Sequence, residues 1–123
     1  MKDPFDRFSL AAGALLAASG IMLGAFAAHA LKARLGAAEL GWWQTAVQYQ
    51  MWNALGLVAL AAVPGVRRAA MLVLAGAILF SGSLYLMALT GARILGAVTP
   101  VGGALMILGW LLVAWKQSGR VER

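Results

Sequence analysis

The sequence predicts an all-α integral membrane protein, a four-helix bundle, and three observations carry that prediction. Of the 123 residues, 63% are hydrophobic and 11% are charged, too few charges to clothe a water-soluble domain. Four apolar runs, at 8–28, 42–63, 69–89 and 94–115, are each about 20 residues long; at about 1.5 Å per residue each can cross a hydrocarbon core of about 30 Å. The charged residues sit between and outside these runs. Together the four form one transmembrane domain over 1–123, with no room for a second. The apolar fraction excludes a disordered chain, and the fifteen glycines lack the three-residue period of collagen.

The run at 8–28 carries no charge. Lys2 and Arg7 ahead of it and Ala28-His29-Ala30 behind it imitate a secretory signal, but the stretch exceeds the usual length of about 7–15 residues and reads as a retained helix. Pro64-Gly65 stops the second run and Thr90-Gly91 the third. Pro100 falls in the first two turns of the fourth, where a missing amide donor is best tolerated. Between the first two runs, Leu31, Leu35, Ala38 and Trp42 recur at helical spacing with Lys32, Arg34 and Glu39 off the stripe. This pattern predicts a short helix lying in the outer interface, with Gly36 and Gly41 as its break points. Trp42, Trp43, Trp110 and Trp115 are expected at the interfaces.

The ten Lys and Arg are scattered in short clusters, not gathered in one nucleic-acid-binding stripe, and read as topology signals. Lys2, Arg7, Arg67, Arg68, Lys116, Arg120 and Arg123 fall on one side of the four runs; Lys32, Arg34 and Arg93 fall on the other. This asymmetry predicts both termini in the cytoplasm.

Small residues predict the helix contacts, because lipid supplies no hydrophobic drive for helix association and close backbone approach must replace it. At about 100° per residue, Ser9, Gly13, Ala17, Gly20, Gly24 and Ala28 line one face of the first run, with Gly20 and Gly24 as a Gly-x-x-x-Gly pair. Gly76 shares a face of the third run with Ser83, while Ser81 and Tyr85 lie nearly opposite, so this run is expected to touch two neighbours. Gly102 and Gly109 share a face of the fourth.

The second run carries a polar stripe. Thr45, Gln48, Tyr49, Trp52, Asn53 and Gly56 occupy an arc of about 140° at 3.6 residues per turn. A bare amide in hydrocarbon costs roughly 2 to 7 kcal/mol. Gln48 and Asn53 are therefore expected to face the bundle interior, with Ser81, Ser83, Tyr85 and His29 as partners. Two readings follow: a hydrogen-bonded network between helices, and a polar pocket opening outward.

The absences are equally informative. Without Cys there is no disulfide, thiolate nucleophile or Cys-based metal centre on this chain. Asp3, Asp6, Glu39 and Glu122 all lie outside the runs, so a proton-coupled transporter would lack its usual carboxylate carrier. No nucleophile-base pair, paired carboxylates, Walker loop or His-x-x-x-His spacing is present, and His29 alone makes no metal site. Neither a cofactor nor a metal is expected.

Four ordered strings then identify a likeness. They are Gly24 to Leu31 (GAFAAHAL), Ala46 to Met51 (AVQYQM), Leu79 to Tyr85 (LFSGSLY), and Thr99 to Gly103 (TPVGG) followed by Gly109-Trp110. Together they resemble the YgdD-like family, domain of unknown function 423, which is related to the metazoan transmembrane protein 256. The resemblance covers nearly the whole chain. It implies a small bacterial inner-membrane protein without an assigned reaction, and marks His29, Gln48, Tyr49, Ser81, Ser83, Tyr85, Thr99 and Pro100 as family positions. Two departures stand out: Ala27 where the family pattern has Gly, and Asn53 where a His commonly follows the Tyr-Gln string. A mechanism needing two histidines per chain is therefore not expected, whereas a hydrogen-bond network survives, because Asn also donates and accepts.

The expected function is non-enzymatic: an accessory or interaction protein packing against membrane lipids, a larger membrane complex or further copies of itself, with no nucleic-acid partner. The alternative is a small-solute transporter or channel with a polar path lined by the second and third runs.

Overall fold

A computed structural model describes residues 4–121, and their regular structure is entirely helical: α1 (Arg7–His29), α2 (Ala37–Leu60), α3 (Arg67–Thr90) and α4 (Thr99–Val121). Lys2 and Arg123, which enter the charge asymmetry, lie outside the described residues, as do Asp3 and Glu122. Among the described residues three helices are long and apolar enough to cross a membrane: α1, α3, and α4 together with the turn before it. The polar residues of α2 keep it below that threshold, although its 24 residues reach about 36 Å at the α-helical rise.

Each helix begins and ends for a local reason. Asp6 caps α1, its carboxylate accepting from the amides of Phe8 at 3.1 Å and Ser9 at 3.4 Å. Such a cap is worth about 1 kcal/mol. Gly36, in extended conformation, precedes α2. Gly91 closes α3 at φ 73°, a left-handed conformation that glycine adopts without strain, and its amide bonds the Met87 carbonyl at 2.8 Å. Pro100 sits in the first turn of α4, where no helical donor is missed.

The expected boundaries shift in two places. The second run was expected at 42–63, but α2 starts five residues earlier, at Ala37, and ends at Leu60. The fourth was expected at 94–115, but Arg93–Ala97 forms a 3-10 turn and α4 runs from Thr99. The separate interfacial helix is also replaced. Leu31–Ala33 is a single 3-10 turn that closes at Arg34, Gly36 begins the next helix, and Ala38 and Trp42 belong to α2. The stripe is nonetheless used, since Leu31 is buried and packs with Ala27, Trp43 and Ala88, and Leu35 and Trp42 flank that cluster.

The helices pack in chain order: α1 on α2, α2 on α3, α3 on α4. α1 and α4 are the outer members and do not pack on each other, and α1 also touches α3, so the four helices are laid out as a folded row. Glycine explains the two outer seams. A Cβ at Gly13 would stand 2.7 Å from the Ala54 carbonyl oxygen, one at Gly20 would stand 2.5 Å from Met51 Sδ, and Gly24 lies against Val47, all on α2. On the other side, a Cβ at Gly76 would stand 2.6 Å from the Met106 amide nitrogen, and one at Gly109 would stand 2.6 Å from Val73 Cγ2. Gly102 meets the Phe80 backbone in the same seam. Backbones this close exchange dispersion contacts that larger side chains would prevent.

The end of the row carrying the start of α1 is tied by polar contacts. The Asp6 amide bonds the Ala61 carbonyl at 2.8 Å, Arg67 approaches the Asp6 carboxylate at 3.8 Å and lies 5.0 Å from the Phe8 ring centre, and the Lys116 ammonium donates to the Gly65 carbonyl at 3.1 Å. Burial pushes the Asp6 carboxyl up. The Ser9 hydroxyl and amide, the Arg67 guanidinium and the Phe8 amide together outweigh that and hold it below its ordinary value.

Candidate functional site

The inward face of α2 is a seam of residues three and four apart: Trp43, Ala46, Gln50, Asn53, Leu57 and Leu60, all buried. Two amides in this seam join the whole row. Gln50, 4% exposed, donates from Nε2 to the Leu16 carbonyl and to Ser19 Oγ, both on α1 and both at 2.9 Å. Its Oε1 accepts from the Tyr85 hydroxyl of α3 at 2.6 Å. Asn53, 7% exposed, donates to the Tyr49 carbonyl of its own helix at 2.8 Å and accepts from the Trp110 indole of α4 at 2.9 Å. One side chain thus binds three helices and the other brings in the fourth.

Further bonds close the seams. The Trp43 indole donates to the Leu23 carbonyl of α1 at 2.9 Å, and its ring meets that of Tyr85 edge-on at 4.6 Å. Ser81 Oγ donates to the Ala46 carbonyl at 2.7 Å, joining α3 to α2. Ser83 and Thr99 share a hydrogen bond of 2.6 Å between α3 and α4. Ser81 and Tyr85 accordingly face α2, while Gly76 and Ser83 face α4. These buried polar groups have partners, as a low-dielectric interior requires.

Several sequence expectations are corrected here. Gln48 does not face the interior; it is exposed, and the neighbouring Gln50 takes the place foreseen for it. The two residues stand about 200° apart on the helix, and the face that meets α1 and α3 is the one with small and apolar neighbours, not the one with most polar residues. Tyr49 is on the rim, its ring 4.6 Å from that of Phe80 and 5.1 Å from that of Trp52. Ser81, Ser83 and Tyr85 bond Ala46, Thr99 and Gln50, not Gln48. His29 is exposed at the end of α1 and, among the described residues, makes no bond to α2. Trp43 and Trp110, expected at the interfaces, serve as interior hydrogen-bond donors. Gln50, Ser19 and Trp110 were absent from the sequence-derived cluster; the spacing of three and four from Trp43 through Ala46 and Asn53 to Leu57 is the signal that finds Gln50.

Between α2 and α4, with α3 as its floor, lies a groove of about 620 Å³. Tyr49, Trp52, Phe80 and Trp110 supply aromatic walls, and Gly103 and Met106 complete the far side. It opens sideways, since Trp52, Ile107 and Leu111 on its rim are exposed. Its volume is in the range of small-molecule sites, about 300–1,000 Å³. Asn53 is its amide, and both ends of that amide are already bonded. Among the described residues no group of three His, Asp or Glu side chains comes together that could hold a metal ion.

Residues 23–103 match the family described as "Protein of unknown function (DUF423)". Curated relatives include the UPF0382 membrane protein SSP2132 of Staphylococcus saprophyticus, 45% identical over 106 residues that cover 82% of this chain and 88% of the relative. YwdK of Bacillus subtilis, also a UPF0382 membrane protein, is 42% identical over 108 residues, covering 82% and 88%. The UPF0382 inner membrane protein YgdD of Escherichia coli K12 is 40% identical over 115 residues, covering 88% and 87%. No solved structure matches the chain. With its apolar helices and relatives of this identity along most of its length, the chain is a membrane protein and belongs to the UPF0382 (DUF423) family.

Proposed function

We propose that this protein is a non-enzymatic accessory protein of the bacterial inner membrane, crossing the bilayer four times with both termini in the cytoplasm, and that it holds the hydrocarbon chain of a lipid in the groove between α2 and α4. The groove carries the reading: aromatic and apolar walls, a lateral opening, and a single amide, Asn53, whose two ends are already bonded within the protein. Four crossings are supported by the register of α2 on α1, where Val47, Met51 and Ala54 lie against Gly24, Gly20 and Gly13. A helix laid along a membrane span over several turns shares its depth. The excess of Lys and Arg on the side of both termini supports the orientation.

A polar path along α2 and α3 has less in its favour. That seam is filled by Ala46 and Ala77, 0% and 1% exposed, and Gln48 stands outside it.

Native mass spectrometry after gentle extraction tests the proposal, with lipid expected to stay bound. Gly103→Leu fills the groove, because a Cβ there approaches Phe80 no closer than 3.8 Å, and is expected to expel the lipid from a protein of unchanged helicity. Equal retention by both forms would overturn the groove assignment. Solute flux into proteoliposomes that Asn53→Leu abolishes would overturn the accessory role.

A further inference from the structure

α2 has a second seam, turned about 170° from the first at 3.6 residues per turn. Gly41, Gln44, Gln48, Leu55 and Ala59 form it. Gln44, Gln48, Leu55 and Ala59 are exposed, and a Cβ at Gly41 would meet nothing within 4 Å. α1 and α3 pack on other faces of α2, so nothing in the described chain covers this one.

Its amides are the anomaly. Among the described residues neither Gln44 nor Gln48 has a hydrogen-bond partner, in contrast to Gln50 and Asn53 on the opposite side. Gln48 lies eleven residues into α2, about 16 Å along the axis and so near the middle of a hydrocarbon core about 30 Å thick. From there a Gln side chain is too short to reach the headgroups. Lipid tails cannot satisfy an amide, and a bilayer tolerates such a group only where protein or water meets it.

We propose that this face is the interface of a homodimer, in which the Gln48 amides of two copies bond each other across a two-fold axis. The inference rests on α2 crossing the membrane as proposed above. Three features select a second copy as the occupant. A carboxamide is donor and acceptor in one group, so it complements itself about a two-fold axis. Gly41, Gln48 and Leu55 are seven residues apart, the repeat that keeps two helices in register through a left-handed pair. Gly41 leaves open space at one end, where the partner backbone can approach. The face carries no charge that would oppose its own copy.

The chain has no cysteine, so a single introduced thiol reports on its own position. Gly41→Cys, Gln48→Cys and Leu55→Cys are compared in lipid vesicles with Leu15→Cys and Leu108→Cys, at exposed positions on α1 and α4. After mild oxidation, disulfide-linked dimers are expected at 41, 48 and 55, several-fold above the two controls. In the cysteine-free protein, Gln48→Leu is expected to weaken dimerisation, read by energy transfer between labelled copies, about three- to tenfold, and Gln48→Asn to weaken it less. Thiols at 41, 48 and 55 that neither cross-link above the controls nor react with a membrane-impermeant maleimide would overturn the dimer and leave the four crossings standing. Reaction of the thiol at 48 with that maleimide would overturn both. Cross-linking to a different protein in place of a second copy would overturn the choice of occupant.

Discussion

Replacing Gln50 with Leu removes the one side chain that joins α1, α2 and α3, and the cost can be worked from its contacts. Three hydrogen bonds disappear, to the Leu16 carbonyl, Ser19 Oγ and the Tyr85 hydroxyl. Interhelical bonds in membranes average only about 0.6 kcal/mol, so the bonds themselves are worth about 2 kcal/mol. The Leu16 carbonyl keeps its helical role and Ser19 still has the Leu15 carbonyl at 2.8 Å, so neither is stranded. The Tyr85 hydroxyl is stranded, at a further cost of about 1 kcal/mol. Gln50→Leu is therefore expected to destabilise the protein by about 3 kcal/mol, and Tyr85→Phe by about 1 kcal/mol. In the double variant no hydroxyl is left without a partner and the shared bond is lost only once, so its cost of about 2 kcal/mol should fall short of the two singles combined by about 2 kcal/mol. Reversible unfolding by sodium dodecyl sulfate titration in mixed micelles, followed by circular dichroism at dilutions where the protein is monomeric, measures all three. Strict additivity, or a Gln50→Leu variant as stable as the parent, would refute this account of the core.

The glycines and the α1 cap supply two more predictions. Gly76→Ala brings a methyl group against the Met106 amide and the Gly102 carbonyl, backbone atoms that cannot swing away, and is expected to cost about 1–3 kcal/mol despite the better helix propensity of Ala. Gly82→Ala, where a Cβ meets nothing within 4 Å, should instead gain up to about 1 kcal/mol; equal effects in the same unfolding titration would contradict the close α3–α4 seam. Asp6→Ala should cost about 1 kcal/mol at neutral pH. Because the folded Asp6 carboxyl sits below the ordinary 3.8, its contribution is complete above that value and is lost as the pH falls through the folded one. The difference in thermal midpoint between parent and Asp6→Ala should therefore shrink on acidification, and a difference that grows would show the sign to be wrong.

The polar residues of α2 show where reading the chain stops. A stripe from Thr45 to Gly56 is the most polar face of this helix, and the rule that polarity turns inward in lipid points Gln48 at its neighbours. The rule holds for Asn53 and fails for Gln48, because it assumes one protein-facing side per helix. α2 has α1 on one flank, α3 on another and the groove towards α4 on a third, and its backbone turns to suit the glycines of α1. The interfacial stripe illustrates the same limit: Leu31 and Trp42 are apolar at helical spacing because both border the cluster around Trp43, although a 3-10 turn and Gly36 interrupt the helix between them.

Local rules written along the chain were enough for class and contact faces. Apolar runs of bilayer length demand helices, Gly91 and Pro100 punctuate them, and the period of Gly13, Gly20 and Gly24 marks the side of α1 on which another backbone can come close. Each of these depends on residues within a few turns of one another. Which amide meets Tyr85, that Trp110 crosses to Asn53, and that α1 and α4 stay apart depend on how whole helices rotate and order themselves. Those outcomes follow from the summed packing of every seam, and neighbouring residues alone do not encode them.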